Sequence, residues 1–223
     1  MRKLLLFVVI LTFIIFSTLP AAPSDRWEPA IAAFEAADRV QYPPPGATVF
    51  IGSSSIRAWT TLAEDFRGLP VVNRGFGGSQ MEDAARYVDR IVAQYGPLAV
   101  VLYEGDNDIA AGKSPEMVAA NFGKFVAAVR SKMPVIPVYV ISIKPSLARW
   151  SIWPRMKEAN ELIQARCAQA RGVYFIDVAP PMLGSDGTPR TDIFVSDGLH
   201  LNRKGYDIWT AAVKPFLEGK NRK

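Results

Sequence analysis

The chain has a single histidine, His200, which lies in FVSDGLHLN (194–202) three residues after Asp197. A loop with that spacing can turn the Asp197 carboxylate onto one ring nitrogen of His200. The tautomer is then fixed and the other nitrogen is left as a general base. The plainer alternative is that His200 caps a helix starting near Asn202. A base needs a nucleophile, and IGSSSIRAW (51–59) offers Ser53, Ser54 and Ser55 where an apolar run gives way to a helical pattern. Serines at such a point also serve as N-caps. A carbonyl attacked by serine further needs donors for its developing negative charge. In NRGFGGSQ (73–80), Gly75, Gly77 and Gly78 let backbone N–H groups approach a ligand without a Cβ in the way, or simply close a tight turn. In YEGDNDIA (103–110), Asn107 is a neutral amide donor.

Other chemistries fit these segments poorly. The G-x-G-x-x-G dinucleotide pattern fails at Gln80. Read as a calcium loop, Glu104, Asp106 and Asp108 are followed by Ile109 where glycine is required and by Pro115 where a bidentate glutamate is required. The Gly112-Lys113-Ser114 triplet lacks the earlier glycine of a phosphate loop, since Asn107 stands there. One histidine and the distant Cys167 cannot supply a zinc ligand set, so no metal is expected.

The elements that must hold these residues are legible as alternating patterns. Short apolar runs at 47–51, 71–73, 98–103, 136–142 and 173–177 are each followed by a stretch of helical periodicity, at 56–66, 81–95, 115–133, 155–171 and 202–217. A further helix is expected over 28–39, ended by the prolines of YPPPGA. Continuous apolar strands separated by helices predict a parallel sheet covered on both faces, a three-layer α/β/α sandwich. Working residues of such sheets gather at the carboxyl ends of the strands, where all four motifs lie.

Composition narrows the class. At 223 residues the chain suits one domain with an ample core. The formal charge of +5 includes Arg2 and Lys3 before an apolar run and three cations in the last four residues, so no basic stripe suggests nucleic acid. The run from Leu4 to Phe16, followed by small residues and proline, has the layout of a secretory signal peptide over 1–22, with an uncleaved N-terminal anchor as the alternative. The expectation is an exported protein, periplasmic, secreted or held at the cell envelope, with residues 23–223 as one domain. Cys167 cannot form an internal disulfide and reads as a buried helix position.

Taken in order, Gly-x-Ser after the first strand, Asn-x-Gly-x-x-Gly after the second, Gly-x-Asn-Asp after the third and Asp-x-x-His before the last helix resemble the SGNH hydrolase superfamily, the GDSL-type esterases and lipases. The resemblance covers nearly all of the chain after Pro45. It implies a flavodoxin-like five-stranded parallel sheet and a serine carboxylic ester hydrolase that needs no cofactor. Gly52-Ser53-Ser54 matches the family's Gly-Asp-Ser, which makes Ser54 the nucleophile, with Ser53 where the family commonly has aspartate. Asp197 and His200 complete the triad, and the Ser54 N–H, the Gly78 N–H and the Asn107 side chain form the oxyanion hole. The implied substrates are short-acyl esters or O-acetylated carbohydrate. Lysophospholipase or thioesterase action and a non-catalytic envelope glycan-binding role are the alternatives. Trp150 and Trp153, in the long segment after the fourth strand, either wall an acyl or aryl pocket or pack to hold their loop.

Overall fold

The computed structural model describes residues 25–219; the expected signal peptide lies outside the described residues. Five strands form one sheet: β1 Thr48–Gly52, β2 Val71–Gly75, β3 Ala99–Tyr103, β4 Val138–Ile141 and β5 Val173–Ile176. Their order is β2-β1-β3-β4-β5 and every pairing is parallel. This is the flavodoxin-like arrangement the sequence implies. Strands β1 and β3 are buried at every position, because a parallel sheet with helices on both faces has no side to show to water.

Alternation along the strands sorts the core into two layers. Val49, Ile51, Val100, Leu102, Val138 and Val140 pack on one face against α1 Glu28–Val40, α4 Met81–Arg86, α5 Val88–Ile91, α7 Pro115–Lys132 and α8 Trp153–Gln169. Phe50, Val101, Tyr103, Tyr139 and Ile141 face the other way, against α2 Ser54–Arg57, α3 Leu62–Asp65 and α9 Arg203–Leu217. Cys167 is buried in α8, as its position in the periodic pattern implies.

Two expected helices are broken. The stretch 56–66 divides into α2 and α3 around the β-branched pair Thr60-Thr61, whose side chains restrict helical rotamers. Trp59 Nε1 and Thr61 Oγ1 both donate to Asp65, at 2.7 and 2.8 Å, and hold the bend. The stretch 81–95 divides at Tyr87, which ends α4 and precedes α5, and finishes as a 3-10 turn at Ala93–Tyr95. Conversely, the segment after β3 forms a short helix, α6 Asp106–Ala110, which the sequence pattern does not announce. Gly105, at φ +105°, makes the turn into it.

One line across the sheet sets the height of the site. Gly52 pairs with Gly75 on one side and with Tyr103 on the other. There is no room for side chains at these glycines: a Cβ on Gly52 would lie 2.1 Å from the Tyr103 carbonyl oxygen, and one on Gly75 would lie 2.1 Å from the Arg57 nitrogen. Helix α2 therefore rests directly on the end of β2. Asn73 ties the two together, donating from Nδ2 to the Ile56 carbonyl at 2.6 Å and accepting the Gly75 N–H at 2.9 Å. From above, the Tyr206 hydroxyl of α9 donates to the Ser55 carbonyl at 2.9 Å.

Below the loop after β2 lies Glu104, 1% exposed. Its Oε1 meets the Ser79 hydroxyl at 2.5 Å, while Oε2 has no partner among the described residues. Burial pushes this carboxyl well above its ordinary range, against the Ser79 hydrogen bond, and the neighbouring Asp108, Asp83 and Asp106 add to the rise. Its surroundings therefore favour the neutral form of Glu104. The Ser79 hydroxyl beside it also lies 2.8 Å from the Phe76 carbonyl.

Two outcomes follow from this packing. Gly75→Ala is expected to cost about 1–3 kcal/mol by overpacking and to lower activity by displacing α2, read by denaturant unfolding and turnover together. For Glu104 the folded state keeps a proton that the unfolded state loses above pH 4.5, so the group's contribution falls as pH rises through and beyond that value. Glu104→Gln, which keeps the hydrogen bond and cannot ionise, should gain stability relative to the wild type as pH is raised from 5 to 8. Unfolding curves at the two ends of that range test it, and a constant difference between the proteins refutes a neutral Glu104.

Candidate active site

The residues singled out in four separate segments meet at the carboxyl edge of the sheet. Ser54 is the first residue of α2, directly after β1, with Ser53 at the N-cap. Burial separates the three serines: Ser53 and Ser55 are each 2% exposed, whereas Ser54 is partly open to solvent. Ser53 makes no side-chain cap bond, so capping does not explain the serine run.

Ser54 Oγ lies 2.9 Å from His200 Nε2, and His200 Nδ1 lies 2.6 Å from Asp197 Oδ2. The local sequence makes this possible. Gly198, at φ +64°, turns the chain so that Asp197 Oδ1 accepts the N–H groups of Leu199 and His200, at 2.8 and 2.9 Å. The other carboxylate oxygen is thereby aimed at the imidazole. The His200 side chain, then the two N–H donors, hold the Asp197 carboxyl down at about 2. It is ionised at neutral pH. Helix α9 does not need His200 as a cap: Asn202 accepts the Gly205 N–H at 3.3 Å and donates to the Asp192 and Phe194 carbonyls. The imidazole is left with two partners, a carboxylate and a hydroxyl, which is the arrangement of a base beside a nucleophile.

Besides the Ser54 N–H, the candidate donors lie in the loop after β2 and at the start of α6. Among the described residues the Ser54 and Gly78 N–H groups meet no acceptor. Gly78 stands at φ +82°, its carbonyl held by Arg26 Nη2 at 2.9 Å and its Cα face against Trp27. Asn107, at the start of α6, donates one Nδ2 hydrogen to the Ser79 carbonyl at 2.9 Å and has a second to give. Its Oδ1 accepts from both Nη1 and Nη2 of Arg149, at 3.1 Å each.

Behind Asn107 is a buried charge cluster that sequence reading passes over. Asp106 Oδ1 accepts from Arg149 Nη1 at 2.5 Å, and its Oδ2 from Lys144 Nζ at 2.9 Å and from the Tyr103 hydroxyl at 3.1 Å. Lys144 is wholly buried. Burial alone disfavours a charged Asp106, yet Lys144 and Arg149 outweigh it and leave the carboxyl below the ordinary range. The one available signal was a lysine inside the apolar run VIPVYVISIK, a cation that must find a partner once buried.

Trp150 and Trp153 stack on each other, ring centroids 6.1 Å apart and planes 17° from parallel. They line a cavity of about 570 Å³ with Pro154, Lys157, Asp177 and Leu183, and none of Ser54, Gly78, Asn107 or His200 lines it. Trp153 is 7% exposed and opens α8, whereas the sequence pattern began that helix at Arg155. Among the described residues no cluster of three or more histidine, cysteine, aspartate or glutamate side chains is arranged to hold a metal ion.

Comparison with known proteins agrees with this geometry. The chain is 28% identical over 178 residues to the human platelet-activating factor acetylhydrolase IB subunit alpha1, covering 76% of this chain and 74% of that one. Its fold is similar to that of a GDSL-like lipase from Bacteroides thetaiotaomicron (TM-score 0.71, 21% identity, 85% and 97% of the two chains). It is also similar to a carbohydrate esterase family 3 protein from Talaromyces cellulolyticus (TM-score 0.61, 20% identity, 78% and 97%). Residues 40–208 match the GDSL-like Lipase/Acylhydrolase family throughout. The chain belongs to that family and is an ester-hydrolysing enzyme.

Proposed function

We propose that this enzyme removes short acyl groups from small esters or O-acetylated carbohydrate through an acyl-enzyme on Ser54. The observation that carries this reading is the continuous chain from Asp197 through His200 to Ser54, 2.6 and 2.9 Å long at its two links, beside three unspent N–H donors. His200 Nε2 takes the Ser54 proton as Oγ attacks the ester carbonyl. The resulting oxyanion is held by the N–H groups of Ser54 and Gly78 and by the free Nδ2 hydrogen of Asn107. His200 returns the proton to the departing alcohol, then takes one from water, which attacks the acyl-enzyme and releases the acid. Asp197 stabilises the imidazolium and stays ionised throughout.

A short acyl group is favoured by the apolar surface near the triad loop. It consists of exposed side chains: Leu147, 40% exposed, packs against Gly198, and Val195, 44% exposed, belongs to the loop itself. The human relative is named as an acetylhydrolase and a fold neighbour as a carbohydrate esterase, which supports an acetyl group and a sugar alcohol as the two halves of the substrate. The leader read from residues 1–22 supports an exported enzyme meeting such esters outside the cytoplasm.

The test is hydrolysis of a 4-nitrophenyl ester series from acetate to long acyl chains, beside acetylated glycans. Turnover should be fastest on the shortest esters and vanish in Ser54→Ala and His200→Ala. A rate that peaks on long chains overturns the short-acyl reading, and turnover that survives Ser54→Ala overturns the acyl-enzyme. Asp197→Asn keeps the shape of the loop but lets the imidazole take the wrong tautomer, so kcat should fall roughly 10⁴-fold at neutral pH with the fold intact by circular dichroism.

A further inference from the structure

We propose that Arg149 is the positioning residue of the oxyanion hole, holding the Asn107 amide in the one orientation in which it donates to the substrate. The proposal rests on the acyl-transfer reading above. It concerns a residue from the segment after β4 that acts on a donor after β3. An asparagine side chain has two ends of nearly equal size, and only one is useful here. With Nδ2 toward the site a proton meets the oxyanion; with Oδ1 there, a lone pair meets it and repels it. The surroundings of Asn107 decide the choice. Nδ2 faces the Ser79 carbonyl, which can only accept, and Oδ1 faces two guanidinium nitrogens of Arg149, which can only donate. A flip would set donor against donor and acceptor against acceptor at both ends.

Charge balance does not require Arg149 at this place. Lys144 already neutralises Asp106, and the Tyr103 hydroxyl adds a further bond. The second cation leaves the cluster with an excess of one positive charge, directly behind an amide that must face a developing negative charge. Apart from Asp106, the side-chain hydrogen bonds of Arg149 all go to Asn107 among the described residues. The segment that carries it is anchored at its start, where the Asn160 amide of α8 bonds both the N–H and the carbonyl of Ile143, at 2.8 and 2.9 Å. It is anchored again at Ala148, whose N–H donates to the Gly198 carbonyl at 3.0 Å. The same segment thus braces the loop of the base and the amide of the oxyanion hole.

Removing Arg149 leaves Asp106 paired, so the variant should fold, which its melting curve verifies. On a short 4-nitrophenyl ester, Arg149→Met should lower kcat roughly 10- to 100-fold with KM changed less than about twofold, and Arg149→Lys should recover part of the loss. The decisive arm is a double-mutant cycle. In an Asn107→Ala background, Arg149→Met should cost nothing more, because the group it positions is gone. Losses that add in the double variant, or a loss confined to KM, overturn the proposal. A second arm needs no turnover: the Asn107 side-chain amide signal, assigned by ¹⁵N–¹H NMR, should shift and broaden in Arg149→Met as the amide samples both orientations. An unchanged signal overturns the proposal whether or not the wild type cleaves any ester. A wild type inert to every ester, with the signal altered, defeats the acyl-transfer reading alone.

Discussion

The site depends on the register of three parallel strands. Gly52 lies opposite both Gly75 and Tyr103, so β1, β2 and β3 end at one level and release their chains toward the same patch of space. The two glycines are part of that constraint, since a Cβ at either would strike backbone 2.1 Å away. With neither present, α2 settles onto the end of β2, and Ser54, the first residue after the N-cap, meets His200 Nε2 at 2.9 Å. A one-residue slip of either neighbour would carry Gly78 or Asn107 to a different height and turn their side chains to the opposite face.

The two halves of the site are held by different physics. The base side is wet: Asp197 and His200 have side chains 45% and 32% exposed, and their geometry comes from a tight loop in which one carboxylate collects two backbone N–H groups and an imidazole. Solvent there screens charge and eases proton exchange with bulk water. The donor side is only partly open and rests on buried charge. Its foundation is Asp106 between Lys144 and Arg149, with Tyr103 beneath, in surroundings where charge acts strongly and an unpaired group would be costly. A buried ion cluster is a weak source of stability, but it places positive charge and fixed dipoles directly behind the Asn107 amide. Glu104 completes the contrast: burial raises its carboxyl well above the ordinary range and so disfavours a second ionised carboxylate beneath the loop after β2.

Much of this was legible before any coordinates, for identifiable reasons. The central strands are buried on both faces and so are apolar throughout, and all five strands stood out as short apolar runs, displaced by no more than two residues at either end. The Asp197–His200 pair was readable because it is local: three residues with a glycine between them suffice to build the contact. What failed to show was whatever depends on distant partners. The breaks at Thr60-Thr61 and Tyr87 interrupt stretches whose periodicity continues unbroken, and the tryptophans after β4 proved to line a cavity separate from the triad.

By itself, then, the sequence determined the layer architecture and placed the candidate residues at the carboxyl edge, because both follow from periodicity, while the roles of Ser54, Asp197, His200, Gly78 and Asn107 came from the family resemblance of their motifs. Only the tertiary structure separated the three adjacent serines physically, since Ser53 and Ser55 are buried while Ser54 is partly open and lies 2.9 Å from His200 Nε2. It alone joined Arg149 and Lys144 to Asp106 and Asn107, contacts spanning about forty residues. Such pairs form when two crossovers land side by side on the sheet, and no property of either segment taken alone specifies where the other will lie.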